Sequence, residues 1–330
     1  MKALSPVQTL ILFVATALAA CAVRAQPVAQ YPIRPVRLLI PFAPGGSTDF
    51  VARVMQMRMT EVLGQSVVID NRAGASGNIA VEIAANAPGD GYTVLFGNVG
   101  TIAINPVLFR DFSVDTERDL QCVSVVADVS SLLVVNATMP ASSFDEFVRY
   151  AKGKPGQLNF ASSGAGSNGR LTMEFFTSRS GISLGHIAYK GASGVVNAML
   201  SNETQVGIGA TPAVLPHLQS GRLKALAILS ATRLSSLPQV PTMGEAGFPE
   251  LTSSSWQGLY VPAKTPPVVI AKLRLAVVRS ITDSKAVDTL RNGGASPLDR
   301  ALLDDCTAFT RQQVRFWADL VRKVGLAGKQ

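Results

Sequence analysis

One pattern of hydrophobic and polar positions recurs along the chain: a short apolar run, a turn rich in glycine and hydroxyl groups, then apolar residues at helical spacing. That alternation predicts an α/β protein with parallel sheets covered by helices. Val36 to Phe42 (VRLLIPF) reads as a buried strand whose end is marked by Pro41. Ala43-Pro44-Gly45-Gly46-Ser47-Thr48 forms the turn. Phe50, Val54 and Met57, at i, i+4 and i+7, predict the apolar face of a helix that Gly64 stops. Ser47 or Thr48 is placed to cap this helix, and Asp49 suits its first turn.

The unit repeats in mid-chain. Gln157 to Ala161 (QLNFA) reads as a strand, Ser162 to Gly169 as its loop, and Leu171 and Phe175 as the face of a helix ending by Gly181. His186 to Tyr189 leads through Lys190-Gly191-Ala192-Ser193-Gly194 to a helix with Val195, Val196, Met199 and Leu200. Gln205 to Ile208 leads to Thr211 as a helix cap with Pro212 at the first helical position. Leu223 to Leu229 is a further buried strand. The Pro- and Gly-punctuated stretch from Leu237 to Pro249 reads as a surface crossover, and Leu302 to Val324 as a final helix with Phe309, Val314, Phe316, Trp317 and Leu320 among its apolar positions.

The first residues add a location. Lys2, the apolar run Leu10 to Ala20 and the small-residue site Val23-Arg24-Ala25 read as an export signal, with Gln26 as the mature start. Leu18-Ala19-Ala20-Cys21 also resembles a lipobox, so a periplasmic lipoprotein anchored at Cys21 is the alternative. Of the remaining cysteines, Cys122 lies in a strand-like run and Cys306 in a helical one. In an oxidising compartment they could pair, but they read first as two separate buried small residues. The 30 basic and 22 acidic residues give +8, without a basic run of five or more, which argues against a nucleic-acid partner. No Cys/His spacing suggests a metal site, and no cofactor is implied.

Several strands thus end in glycine-rich loops that open helices. Helix N-termini offer unpaired N–H groups and partial positive charge to anions. One such loop early in the chain and another in the middle suggest a site in two halves. Gly164-Ala165-Gly166-Ser167-Asn168-Gly169 has the spacing of a dinucleotide fingerprint. The strand after it ends in Tyr189-Lys190 rather than in an acidic residue, which argues against a nucleotide. His186 and His217 read as structural, and no nucleophile and base stand out.

Tyr31-Pro32-x-Arg34-Pro35-Val36, Pro41 to Asp49 (PFAPGGSTD) and Asn71-Arg72-Ala73-Gly74-Ala75-Ser76-Gly77-Asn78 together resemble the Bug proteins, the TctC-type receptors of tripartite tricarboxylate transporters. Asp90-Gly91-Tyr92-Thr93, Tyr189-Lys190-Gly191, Pro241-Thr242 and Ser255-Trp256-x-Gly258 continue the likeness across residues 30 to 325. The resemblance implies a type II periplasmic-binding-protein fold, two lobes joined by crossing strands, with residues 26–126 and 240–330 in the first lobe and 127–239 in the second. It implies a non-catalytic, monomeric receptor for a small carboxylated solute, which passes the solute to membrane permease subunits or a sensor. An extracytoplasmic enzyme acting on a small carboxylic acid is the alternative. The ligand-binding positions it implies are Phe42, Gly46, Ser47, Thr48, Asp49, Asn98, Thr101, Ser162, Ser163, Ser167, Asn168 and Tyr189. Thr211 joins them from a loop, Gly209-Ala210-Thr211, where many relatives carry acidic or amide side chains.

Overall fold

The computed structural model describes residues 31–252, 255–298, 305–323 and 325–329. The expected export signal, Cys21, the mature start at Gln26 and Leu302 lie outside these residues. Among the described residues, eleven strands form two sheets. The first has the order β11-β4-β10-β3-β1-β2, made of β1 (Val36–Ile40), β2 (Val67–Asn71), β3 (Thr93–Asn98), β4 (Leu120–Val129), β10 (Ser255–Pro262) and β11 (Ala295–Pro297). The second has the order β7-β6-β8-β5-β9, made of β5 (Ser131–Asn136), β6 (Leu158–Ser162), β7 (Leu184–Ala188), β8 (Val206–Ala210) and β9 (Leu223–Ile228).

The sheets are mixed rather than parallel throughout. β1 runs parallel to β2 and β3, and β6 parallel to β7 and β8. The strands next to the crossings, β10 and β5, pair antiparallel with their neighbours. Side chains alternate across each strand. Leu38 and Ile40 of β1 therefore enter one apolar cluster and Leu39 another, and all three are buried. Burying a side chain of that size contributes about 2 kcal/mol. Both faces of each sheet carry such a cluster, so each lobe has its own core.

The lobe boundaries move from those the sequence suggested. β4 stays in the first sheet to Val129, and β5 opens the second at Ser131, so the first crossing is at Ser130. Thr242 bridges to Ile228, and Met243 and Leu251 pack into the second lobe's core. The stretch read as a crossover is thus cladding on lobe two as far as Leu251, and β10 belongs to the first sheet from Ser255.

Three local expectations also change. In the Ser47–Leu63 helix the buried row is Val51, Met55 and Met59, while Met57 is 73% exposed. Phe50 and Val54 are half-buried and pack against the edge of that core, with the Phe50 ring over Gly293. The final helix spans Cys306–Lys323, and its Phe316 faces outward. Cys122 and Cys306 are not separate: a disulfide joins them, Cα atoms 6.0 Å apart, and fastens this helix to β4. Among the described residues no helix is long and apolar enough to cross a membrane.

Candidate functional site

The loop after β1 is built by its own helix. Gly45 takes φ +86°, a conformation that favours glycine. Gly46 is the N-cap of the Ser47–Leu63 helix and supplies no side-chain cap, so neither Ser47 nor Thr48 caps it as expected. Asp49 reaches back instead. Its Oδ2 accepts from the Gly45 amide at 3.0 Å, and its carboxylate also holds Arg53 and the Asn71 amide. Asn71 in turn donates to the Phe42 carbonyl. Burial works against the charge on Asp49, but these hydrogen bonds outweigh it and hold the carboxyl below its usual range.

Beside this loop, Asn98 and Thr101 clasp each other at the end of β3. Thr101 N donates to Asn98 Oδ1 at 3.1 Å, and Asn98 N donates to Thr101 Oγ1 at 3.0 Å. The clasp spends the Asn98 carbonyl oxygen and leaves its amide nitrogen as a donor.

The second lobe faces these groups with the loop after β6. The buried Ser162 hydroxyl lies 2.7 Å from His186 Nε2 and 3.1 Å from the Gly164 carbonyl. Burial, and then the nearby Arg170 charge, push the His186 pKa down to about 4. Ser167 caps the Asn168–Ser180 helix by accepting from Arg170 N at 3.2 Å. The Arg170 guanidinium donates to the Ala165 carbonyl and lies 3.6 Å from Glu174, so it braces the loop from behind. Tyr189 N and Gly191 N donate to the carbonyls of Ser162 and Ser163, stitching the next loop alongside. Gly191 then opens the Ala192–Leu200 helix, again with no side-chain cap.

The two lobes meet closely. Gly166 N lies 3.5 Å from Ser76 Oγ, and a Cβ on Gly164 or Gly166 would collide with Ser76 or Asn105 of the other lobe. The glycine spacing that mimics a nucleotide fingerprint serves this approach.

Between the lobes is a cleft of about 720 Å³, counting its open mouth. The starts of three helices, at Ser47, Asn168 and Ala192, border it. Of the positions the resemblance implied, Phe42, Gly46, Ser47, Thr48, Asn98, Ser163, Ser167 and Asn168 line it. Asp49, Thr101, Ser162, Tyr189 and Thr211 do not. Asp49, Thr101 and Ser162 support the lining from behind, and the Tyr189 side chain packs over Gly194. The Thr211 hydroxyl is not a helix cap. It donates to the Ser130 carbonyl at the crossing, 2.8 Å away. Ser76, Ser131, Ile208, Ala210 and Ser255 also line the cleft and were not singled out. Ser76 had a signal, since it sits in another glycine-bounded loop after a strand. Ser131 and Ser255 begin the strands at the crossings, and nothing local marks them. No charged side chain is among the described residues that line the cleft.

The family model for the tripartite tricarboxylate transporter family receptor matches residues 51–326. BugT of Bordetella pertussis is 37% identical over 315 residues, 95% of each chain. A Rhodopseudomonas palustris protein solved with adipate superimposes with a TM-score of 0.86 at 33% identity, covering 90% of this chain and 99% of that one. MatC from the same organism, solved with bound malate, gives 0.84 at 28% identity, covering 88% and 100%.

Proposed function

The chain belongs to the tripartite tricarboxylate transporter receptor family, whose members are periplasmic solute-binding proteins, and from that membership we propose that its cleft captures one small carboxylated solute and returns it unchanged. The observation that carries the reading is the convergence of three helix starts on a cleft lined by hydroxyls and amides. Two of those starts have no side-chain cap, so their first-turn N–H groups remain for a ligand. Such donors bind an anion strongly where water is excluded, and a cation is not required. The adipate and malate found in two relatives support the same chemistry.

The catalytic alternative draws on one feature, the Ser162–His186 contact. Ser162 is buried behind the lining and already bound to its own loop, which favours a structural pair. Export with a mature start at Gln26, action as a monomer, and delivery to permease subunits or a sensor complete the proposal. An intact mass starting at Gln26 supports the export reading, and an acylated Cys21 replaces it with the lipoprotein one. Native mass spectrometry of freshly purified protein tests the central reading. A retained small carboxylic acid, recovered unaltered, is the expected result, and its chemical conversion on incubation would contradict it.

A further inference from the structure

The chemistry of the cleft is uneven, and the unevenness specifies more than a carboxylate. This inference rests on the proposed receptor reading and narrows it. The donor-rich part consists of the Ser47, Asn168 and Ala192 helix starts, the Asn98 amide, and the hydroxyls of Ser76 and Ser163. The wall toward the crossing is different. Ile208 and Ala210 of β8 form it, next to Ser131, the register partner of Ala210 on β5. Ile208 lies beneath the start of the Asn168–Ser180 helix, within 3.2 Å of where a Cβ on Gly169 would stand.

A fourth helix, Thr211–Gln219, also starts at this wall, but its first two residues leave no N–H for an anion. The Thr211 amide is spent on the Ser130 carbonyl at 3.0 Å. The next residue, Pro212, has no N–H at all. The Thr211 hydroxyl is committed to the same carbonyl. Ala210, the N-cap, contributes a methyl group to the lining where a polar side chain could have reached inward. The nearby Ser131 and Ser255 hydroxyls can satisfy a neutral polar atom. They do not replace the four or so lone-pair partners that a desolvated carboxylate loses.

We infer that the ligand carries a single carboxylate, held at the donor-rich helix starts, with an uncharged and largely apolar remainder against Ile208 and Ala210. A dicarboxylate of the same length would have to bury its second charge on the apolar wall, so the cleft selects against it.

The test is calorimetric titration of the mature protein, stripped of co-purified solute, with length-matched pairs: butanoate and succinate, hexanoate and adipate, benzoate and terephthalate. At the length that binds best, the monoacid should bind at least tenfold more tightly than the diacid. Ala210→Lys, which places a cation on the wall, should reverse that order. A diacid that binds wild-type protein as tightly as its monoacid partner, or more tightly, overturns this inference and leaves the carboxylate-receptor reading intact. Failure of every acid to bind overturns both.

Discussion

The carboxylate of Asp49 accepts a hydrogen bond from the Gly45 amide 3.0 Å away. The first acidic residue of a helix therefore folds back to shape the loop that precedes it. The same carboxylate holds Arg53 and Asn71, and through Asn71 the Phe42 carbonyl. Asp49 thus shapes the loop from behind the cleft lining, and its charge is paired with Arg53.

Removing that carboxylate should unpin the loop. Asp49→Ala takes the acceptor from the Gly45 amide, Arg53 and the half-buried Asn71 and should cost about 0.5–1.5 kcal/mol of stability, together with ligand affinity. The folded pKa of Asp49 is depressed. Its stabilisation is therefore complete above the ordinary carboxylate range and is lost as pH falls through the folded value. Melting temperatures of wild type and Asp49→Asn should converge in acid. Curves that stay parallel below about pH 4 would count against this role.

His186 acts in a different window. Its folded pKa, about 4, lies below the roughly 6.5 of an unfolded chain. Between those values the unfolded state takes up a proton that the folded state refuses, so stability falls as pH drops from about 6.5 to about 4. His186→Gln can still bond the Ser162 hydroxyl and does not titrate. Its melting temperature should fall less steeply over that range. An unchanged slope would show that His186 does not set it.

The disulfide closes a span of 184 residues. A loop of that length gives about 5 kcal/mol in the chain-entropy model, and 2–4 kcal/mol is typical of measured cases. Cys122→Ser with Cys306→Ser should lower the melting temperature by a corresponding amount. Ligand affinity should be little changed, because neither residue lines the cleft. Equal melting temperatures with and without reductant would contradict the bond's contribution.

Thr211→Val removes the hydroxyl that grips the Ser130 carbonyl. The expected loss is about 1 kcal/mol of stability, with affinity within twofold of wild type. A large loss of affinity at unchanged stability would make Thr211 a ligand contact after all.

The strands and their loops were legible in the sequence because each depends on neighbours in the chain. β1 is an apolar run interrupted only by Arg37, and Pro44-Gly45-Gly46 marks the turn a few residues after it. The features that escaped depend on distant neighbours. Which face of the Ser47–Leu63 helix is most deeply buried depends on what packs against it, and its neighbours there come from far along the chain. The pairing of Cys122 with Cys306 required the docking of the last helix on β4. The supporting roles of Asp49, Thr101 and Ser162 were hidden for a related reason. A polar residue beside a site has the same letter whether it touches a ligand or holds the residue that does. The departure at Gly209-Ala210-Thr211 was visible in the sequence, but its meaning emerged only when Ala210 lined the cleft and Thr211 turned to the crossing.

The central claim is that uncharged donors, not an ion pair, hold the carboxylate. Titration of the retained acid into Ser47→Ala, Ser163→Ala and Lys190→Ala proteins tests it most directly. Each hydroxyl variant should lose about 1–3 kcal/mol of binding free energy, whereas Lys190, which is exposed and outside the cleft lining, should be replaceable at little cost. Abolished binding in Lys190→Ala, with full affinity in both serine variants, would contradict the account and put a conventional ion pair in its place.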